Sequence, residues 1–354
     1  MTASATLLAS IQSSLAGLTL AELLAQRSEL ARRTVQRWVG QWVAAGVIDA
    51  TGAGRARRYG PRYALRHVTS VASVTGAVGP DKAFSPHIAL SADSLDVLVY
   101  VDQPLQARKP VGYQRDFLDA YQPNVSAYLP ESLRRQLHNM GQTALADEPA
   151  GTYSRAILSR LLIDLSWASS HLEGNTYPRL DTVALIEHGR AARGKAAIET
   201  QMILNHKTAI EMLVDSVAST ATRDAGPPGL SRYLLMNLHS ALAENLLPNP
   251  ADEGRIRQHA VDIGRSVYRP LSNPQQIDET LARLLLKLNA ITDPFEQSLF
   301  AMVHLPYLQP LADINKRTSR LVANLPLFRA NLCPLTFVDV PEQAYSRARW
   351  VFTR

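Results

Sequence analysis

Residues 309–321 read Q-P-L-A-D-I-N-K-R-T-S-R-L. One acid (Asp313), one amide (Asn315) and three cations (Lys316, Arg317 and Arg320) fall within eight residues there. Upstream, residues 294–308 (PFEQSLFAMVHLPYL) predict a helix. Downstream, residues 317–327 (RTSRLVANLPL) predict another, with Leu321 and Leu325 four apart on one face. A polar loop that opens a helix presents unpaired N–H groups and a positive dipole end, which suit phosphate. Arg317 and Arg320, three apart, can face one anion. Asp313 could hold the Mg²⁺ that accompanies nucleotide phosphates. The same residues also suit a helix start that is merely solvated.

The segment resembles the Fic family motif H-P-F-x-D/E-G-N-G/K-R-x-x-R, with Pro310, Asp313, Asn315, Lys316, Arg317 and Arg320 on matching positions. Three positions depart. Gln309 stands where the family has its catalytic histidine, Leu311 replaces Phe, and Ile314 replaces the first Gly. The resemblance implies ATP as ligand, Mg²⁺ at Asp313, and AMP transfer to a Ser, Thr or Tyr hydroxyl of a target protein. Lys316 is the variant of the Doc branch, which implies phosphoryl transfer as an alternative.

In such enzymes the histidine removes the hydroxyl proton. Glutamine cannot, because its amide is not basic near neutral pH. His304, five residues upstream, lies about 140° around a helix of 3.6 residues per turn and is no obvious substitute. Enzymatic activity therefore stays open. An attenuated transferase and a non-enzymatic nucleotide sensor that acts on transcription are both consistent with these residues.

Residues 154–170 (SRAILSRLLIDLSWASS) predict an amphipathic helix running into S-S-H-L-E-G-N at 169–175. This resembles the family's inhibitory motif, S/T-x-x-x-E-G/N, through Ser169, Glu173 and Gly174, followed by Asn175. The resemblance implies that Glu173 pairs with Arg320 and denies it to the ATP γ-phosphate. A helix end closed by Gly174 explains the same letters. Residues 254–276 combine β-branched residues with Gly, Pro and Asn and predict a hairpin resembling the family's target-aligning flap.

The basic charge is concentrated at the start. Residues 1–68 hold nine arginines against Glu22, Glu29 and Asp49, a net charge of +6, and the whole chain is also +6. A basic module on a neutral body points to a polyanion. Within it, residues 6–14 and 19–26 predict helices, the second capped by Thr19. Val35, Trp38, Val39, Trp42 and Val43 form the buried stripe of a third. Arg32, Arg33, Thr34, Gln36 and Arg37 flank its start, and Arg55, Arg57 and Arg58 lie on a basic hairpin. Residues 5–65 thus resemble a winged helix-turn-helix, which implies double-stranded DNA as partner. A winged helix used only for protein contacts is the alternative.

The expected fold is mainly α: a Fic-type helical core with a small β-hairpin flap, plus an N-terminal α+β winged helix. The expected division is 1–68, a linker at 69–100 rich in Ser, Gly and Pro, and 101–354. Residues 95–101 (LDVLVYV) predict a strand. Residues 182–189, 195–217, 232–246 and 277–291 predict helices. His239 has no partner at metal spacing and reads as a packed core histidine. Residues 340–354 predict a helix that runs to the last residue, as though cut short. The single Cys333, the absence of a basic leader before Arg27 and the lack of any apolar run near the roughly 18–20 residues of a membrane span point to a cytoplasmic protein. A homodimer is among the assemblies this sequence allows.

Overall fold

The computed structural model describes residues 3–14, 18–26, 30–45, 47–51, 57–61, 92–220, 229–264, 266–342, 344 and 345. Arg55, most of the 69–100 linker and residues 346–354 lie outside that set. The chain divides into two compact units, Met1–Pro80 and Asp81–Arg354.

The first unit runs α1 (Ala3–Ser13), β1 (Leu18–Thr19), α2 (Leu20–Gln26), α3 (Arg32–Ala44), β2 (Ile48–Thr51) and β3 (Arg58–Pro61). Its antiparallel sheet has the order β1-β3-β2, with Thr19 opposite Arg58 and Ile48 opposite Pro61. Thr19 caps α2 in a reciprocal box: its Oγ1 accepts from the Glu22 N–H, and the Glu22 carboxylate accepts from the Thr19 N–H at 2.7 Å. Leu7, Ile11, Leu23, Val35, Val39 and Ile48 form the core, with Trp38 and Trp42 half-buried against it. That burial is worth about 1.5–3 kcal/mol per large side chain.

The second unit is helical: α4 (Ala92–Val101), α5 (Arg115–Asp119), α6 (Glu131–Gly141), α7 (Thr152–Ala156), α8 (Leu158–His171), α9 (Arg179–His188), α10 (Ala197–Thr220), α11 (Arg232–Ala243), α12 (Pro274–Ala290), α13 (Pro294–Leu308), α14 (Asn315–Val322) and α15 (Asn324–Arg329). Helix α13 is buried on nearly every face and touches α6, α12, α14 and α15. Its bounds are those predicted. Asp293 caps it and Pro294 fits the first helical position, where no N–H is needed. Among the described residues no helix is long and apolar enough to cross a membrane.

Four expectations are corrected. Residues 95–101 belong to helix α4, not a strand; a short apolar run cannot by itself separate the two. The 154–170 helix is two helices, α7 and α8, broken at Ile157 (φ −106°, ψ 11°). The helix predicted over 317–327 divides at Ala323. Pro326 would clash with the carbonyl four residues back, at Val322, where α14 ends. Residues 254–276 do not form a hairpin. Among their described members the only strand is β5 (Tyr268–Arg269), which pairs in parallel with β4 (Val111–Gly112).

Candidate nucleotide site

The 309–315 loop is built by two residues with left-handed backbone, Gln309 (φ 51°) and Ile314 (φ 63°). The first ends α13 and the second starts α14. A β-branched residue in that region is strained where Gly would not be. Ile314 offsets the strain by burying its side chain in the main core.

Asn315 ties the loop together. Its Oδ1 accepts from the Leu311 N–H at 3.0 Å, and its Nδ2 donates to the Leu311 carbonyl at 3.0 Å and to Gln309 Oε1 at 2.8 Å. Gln309 Nε2 donates to the Pro306 carbonyl at 2.7 Å. Both ends of the Gln309 amide are therefore engaged, one by Asn315 and the other by the last turn of α13. Asp313 is exposed, and its Oδ1 accepts from the Ile314 N–H at 2.6 Å.

The three cations divide into two roles. Arg320 is 0 % exposed. Its Nε donates to Ser169 Oγ and its Nη2 to the Ser169 carbonyl, both at 2.9 Å. Nη2 also donates to Glu173 Oε1 at 2.8 Å, and Nη1 to the Tyr345 hydroxyl at 3.0 Å. Lys316 Nζ lies 2.6 Å from the other Glu173 oxygen. One carboxylate thus holds two of the loop's cations, where the sequence pointed to Arg320 alone. Burial works against the Glu173 charge, but Arg320 and Lys316 override it and hold the carboxyl down at about 2.

Arg317 makes no direct ion pair, though Glu173 and Asp313 act on its charge from a distance. It is 8 % exposed, at the first turn of α14, and its Nη1 makes no hydrogen bond. Burial lowers its pKa. A buried guanidinium with an unmet donor, beside a helix N-terminus, suits an anion.

The other predicted motif residues separate. Gly174 (φ 88°) closes the end of α8. Asn175 is tied elsewhere, to the Glu199 carbonyl and the Tyr177 N–H. His304 lies buried against Phe117 and Phe300, 2.6 Å from the Tyr128 hydroxyl, and burial holds its pKa at about 3. No lone-histidine signal marked His206, yet its Nδ1 faces the Met202 carbonyl at 2.9 Å, so its Nε2 accepts from Ser169 Oγ at 2.9 Å. That fixes the hydroxyl whose oxygen receives Arg320. Tyr345, also unmarked in the sequence, places its ring 5.6 Å from the Arg320 guanidinium.

Among the described residues no cluster of three His, Cys, Asp or Glu could hold a metal by itself. A single exposed carboxylate, Asp313, is the donor set that a Mg²⁺ arriving with phosphates and keeping most of its waters would need.

The Fic/DOC family model matches residues 229–327, the span from the start of α11 to α15. Those residues are a Fic/DOC family domain. The 309–320 loop lies inside the Fic domain as matched, and Glu173 lies before it. Among curated relatives, the protein adenylyltransferase fic-1 of Caenorhabditis elegans is 29% identical over 168 residues, 46% of this chain and 31% of that protein. The protein adenylyltransferase Fic of Nematostella vectensis is 27% identical over 168 residues, 47% of this chain and 38% of that protein. The chain matches about a third of the length of these relatives. Among solved structures, a Fic family protein from Desulfovibrio desulfuricans G20 is 20% identical with a TM-score of 0.48, covering 65% of this chain and 68% of that one. C. elegans Fic-1 is 21% identical with a TM-score of 0.45, covering 67% and 69%.

In the first unit, Arg32, Arg33, Gln36 and Arg37 are exposed at the start of α3 and Thr34 is half-buried. Arg57 is exposed beside Tyr59, 5.8 Å from its ring, while Arg58 pairs with Glu22 at 3.7 Å.

Proposed function

We propose that the second unit is a Mg²⁺–ATP site of the protein adenylyltransferase type, shut by Glu173 and attenuated in transfer by Gln309. The observation that carries the reading is the buried Arg317 Nη1, without a hydrogen bond at the mouth of α14 while Glu173 pairs with the other two cations. Asn315, Lys316, Arg317 and Arg320 would hold the phosphates and Asp313 the metal, which would neutralise phosphate charge. In transfer, a target hydroxyl oxygen bonds to the α-phosphorus as pyrophosphate leaves, and the hydroxyl proton needs an acceptor. Gln309 offers none.

Calorimetry with Mg²⁺–ATP tests the binding step. Glu173→Gly is expected to tighten binding at least about tenfold, because a charge-assisted pair with phosphate replaces the one with glutamate. Arg317→Ala is expected to abolish the heat signal. Equal affinity in the Glu173→Gly and natural proteins would reduce residues 169–175 to a helix end. Parallel incubations with α- and γ-labelled ATP separate AMP transfer from the phosphoryl transfer that Lys316 suggests.

The first unit supports a second reading, a nucleotide-sensing regulator that binds duplex DNA. Its element order, α1-β1-α2-α3-β2-β3, supports the winged-helix reading, and α3 starts with two arginines, no side-chain cap and no acid in its first turn. Cations at a helix N-terminus oppose the dipole unless an external anion compensates. The full chain is expected to bind duplex DNA with a log–log salt slope of several units. Alanine at Arg32, Arg33 and Arg37 together should flatten it by about 0.9 for each phosphate no longer neutralised. No duplex affinity at low salt would make this unit a protein-contact module.

A further inference from the structure

Ser169, more than Glu173, decides where the Arg320 guanidinium sits. Nε donates to Ser169 Oγ and Nη2 to the Ser169 carbonyl, both at 2.9 Å. Nη2 donates to Glu173 Oε1 as well, at 2.8 Å, and Nη1 donates to the Tyr345 hydroxyl at 3.0 Å. A guanidinium is planar, so two bonds from its Nε–Nη2 side fix its plane and its direction together. Ser169 is the seat, and Glu173 engages one donor of a group already seated.

The seat depends on which way the Ser169 hydroxyl turns. A hydroxyl rotates to suit its neighbours, and toward a guanidinium it has to present a lone pair. Its hydrogen therefore needs an acceptor elsewhere, and His206 supplies one. This residue lies on α10 and is buried. Its Nδ1 is 2.9 Å from the Met202 carbonyl, one turn back on the same helix; a carbonyl only accepts, so Nδ1 carries the hydrogen. Ser170 Oγ, 3.3 Å from the same nitrogen, is left to accept as well. Burial, with the charge of Arg317 behind it, holds the ring's pKa at about 3, so at pH 7 the ring is neutral and its Nε2 is bare. That nitrogen stands 2.9 Å from Ser169 Oγ and takes the hydroxyl hydrogen. Arg320, Ser169, His206 and Met202 thus form a one-way chain, each donating to the next. Asn205, beside His206, pins α10 by donating to the carbonyls of Leu242 and Glu244 at 3.1 and 2.8 Å.

We propose that His206 is the positioning residue of Arg320: by holding the Ser169 hydroxyl it keeps the guanidinium in one plane through loading, so that a terminal phosphate replaces Glu173 on Nη2 while both Ser169 contacts stay. Loading is then an exchange of one acceptor and not a swing of the arginine, and the side chain is ordered before the ligand arrives. The inference rests on the Mg²⁺–ATP reading of the site.

Calorimetry on the full-chain Glu173→Gly protein, with Mg²⁺–ATP and Mg²⁺–ADP in parallel, tests it. ADP lacks the terminal phosphate, so damage confined to Arg320 shows with ATP alone and damage to the fold shows with both. His206→Asn matches the imidazole as far as Nδ1 and falls short of Ser169. It should bind ATP about tenfold more weakly while ADP stays within about twofold of the parent. His206→Gln reaches the Nε2 level with an oxygen that accepts, and should return ATP to within about threefold. Long-range ¹H–¹⁵N spectra, with His206 assigned by its loss in a variant, are expected to show Nδ1 protonated and Nε2 bare, with and without ATP. Equal ATP affinity in the Asn variant, an equal loss on both nucleotides, no recovery with Gln, or a proton on Nε2 would overturn the assignment. If the Asn variant does not fold, Ser169→Ala removes the hydroxyl that links the two residues and is read by the same comparison of ATP with ADP. A parent that takes up neither nucleotide overturns the Mg²⁺–ATP reading and the loaded state with it. A parent that binds both, with no split among the variants, overturns the His206 role alone.

Discussion

Gln309→His combined with Glu173→Gly is expected to raise AMP labelling of protein at least about tenfold over the natural chain, which should bind ATP yet label itself and other proteins very slowly. A positioned general base contributes about 10²–10⁴ in rate. The Gln309 amide is consumed at both ends by Asn315 and the Pro306 carbonyl, so it neither takes a proton nor reaches for a hydroxyl. An imidazole at 309 restores a basic nitrogen, and glycine at 173 removes the carboxylate that pairs with Lys316 and Arg320. Leu311 and Ile314 set the loop's path, and a displacement near 1 Å can cost about 10². ATP affinity of the double variant is therefore measured alongside the label. Tight binding without added label would mean that the loop holds a nucleotide and activates nothing, and the sensor reading would replace the transferase.

Glu173→Gln should lower Tm by on the order of 10 °C. Removing one partner of a buried pair costs about 3–5 kcal/mol, and about 1 kcal/mol corresponds to 2–4 °C in a domain of this size. Arg320, with no exposed surface, would keep only the uncharged Ser169 and Tyr345 and an amide. A phosphate-bearing ligand should recover much of the loss, since saturation at a hundred times Kd adds about 2.7 kcal/mol. Acid gives an independent check. The Glu173 carboxyl titrates at about 2 when folded against an ordinary 4.5. Its contribution, about 3 kcal/mol, is present above pH 4.5 and is lost as pH falls toward 2. The natural protein should lose that increment of stability across this window and the Gln variant should not. Matching melting and acid profiles in the two proteins would leave Glu173 with no role in holding the loop.

The clustering of charge at the start of α14 was legible because it is a local pattern: residues 313–320 carry it within eight letters. Helix α13 was legible because cap, proline and apolar run agree. The 254–276 segment was not, because its path is set by one side chain, Arg257, donating to carbonyls up to 52 residues away. The Glu173 contact was suggested by resemblance, but its second cation, Lys316, depends on how α8 and α14 meet. His206 and Tyr345 carried no signal at all, since each acts through a tertiary neighbour, whereas His239 read as a packed core histidine and is fully buried. At Ile314, the positive φ explains why glycine would be the expected letter there and why burial tolerates another.

The grip of one carboxylate on two cations also sets a concentration scale. If closing the site is favoured by about 2.7 kcal/mol, only about one molecule in a hundred is open at rest, and apparent affinity falls by the same factor. A pocket with an intrinsic Kd of about 10 μM would then half-fill near 1 mM. Glu173 would in this way turn a tight pocket into a gauge that discriminates between millimolar levels of its ligand, insensitive to traces and responsive to abundance.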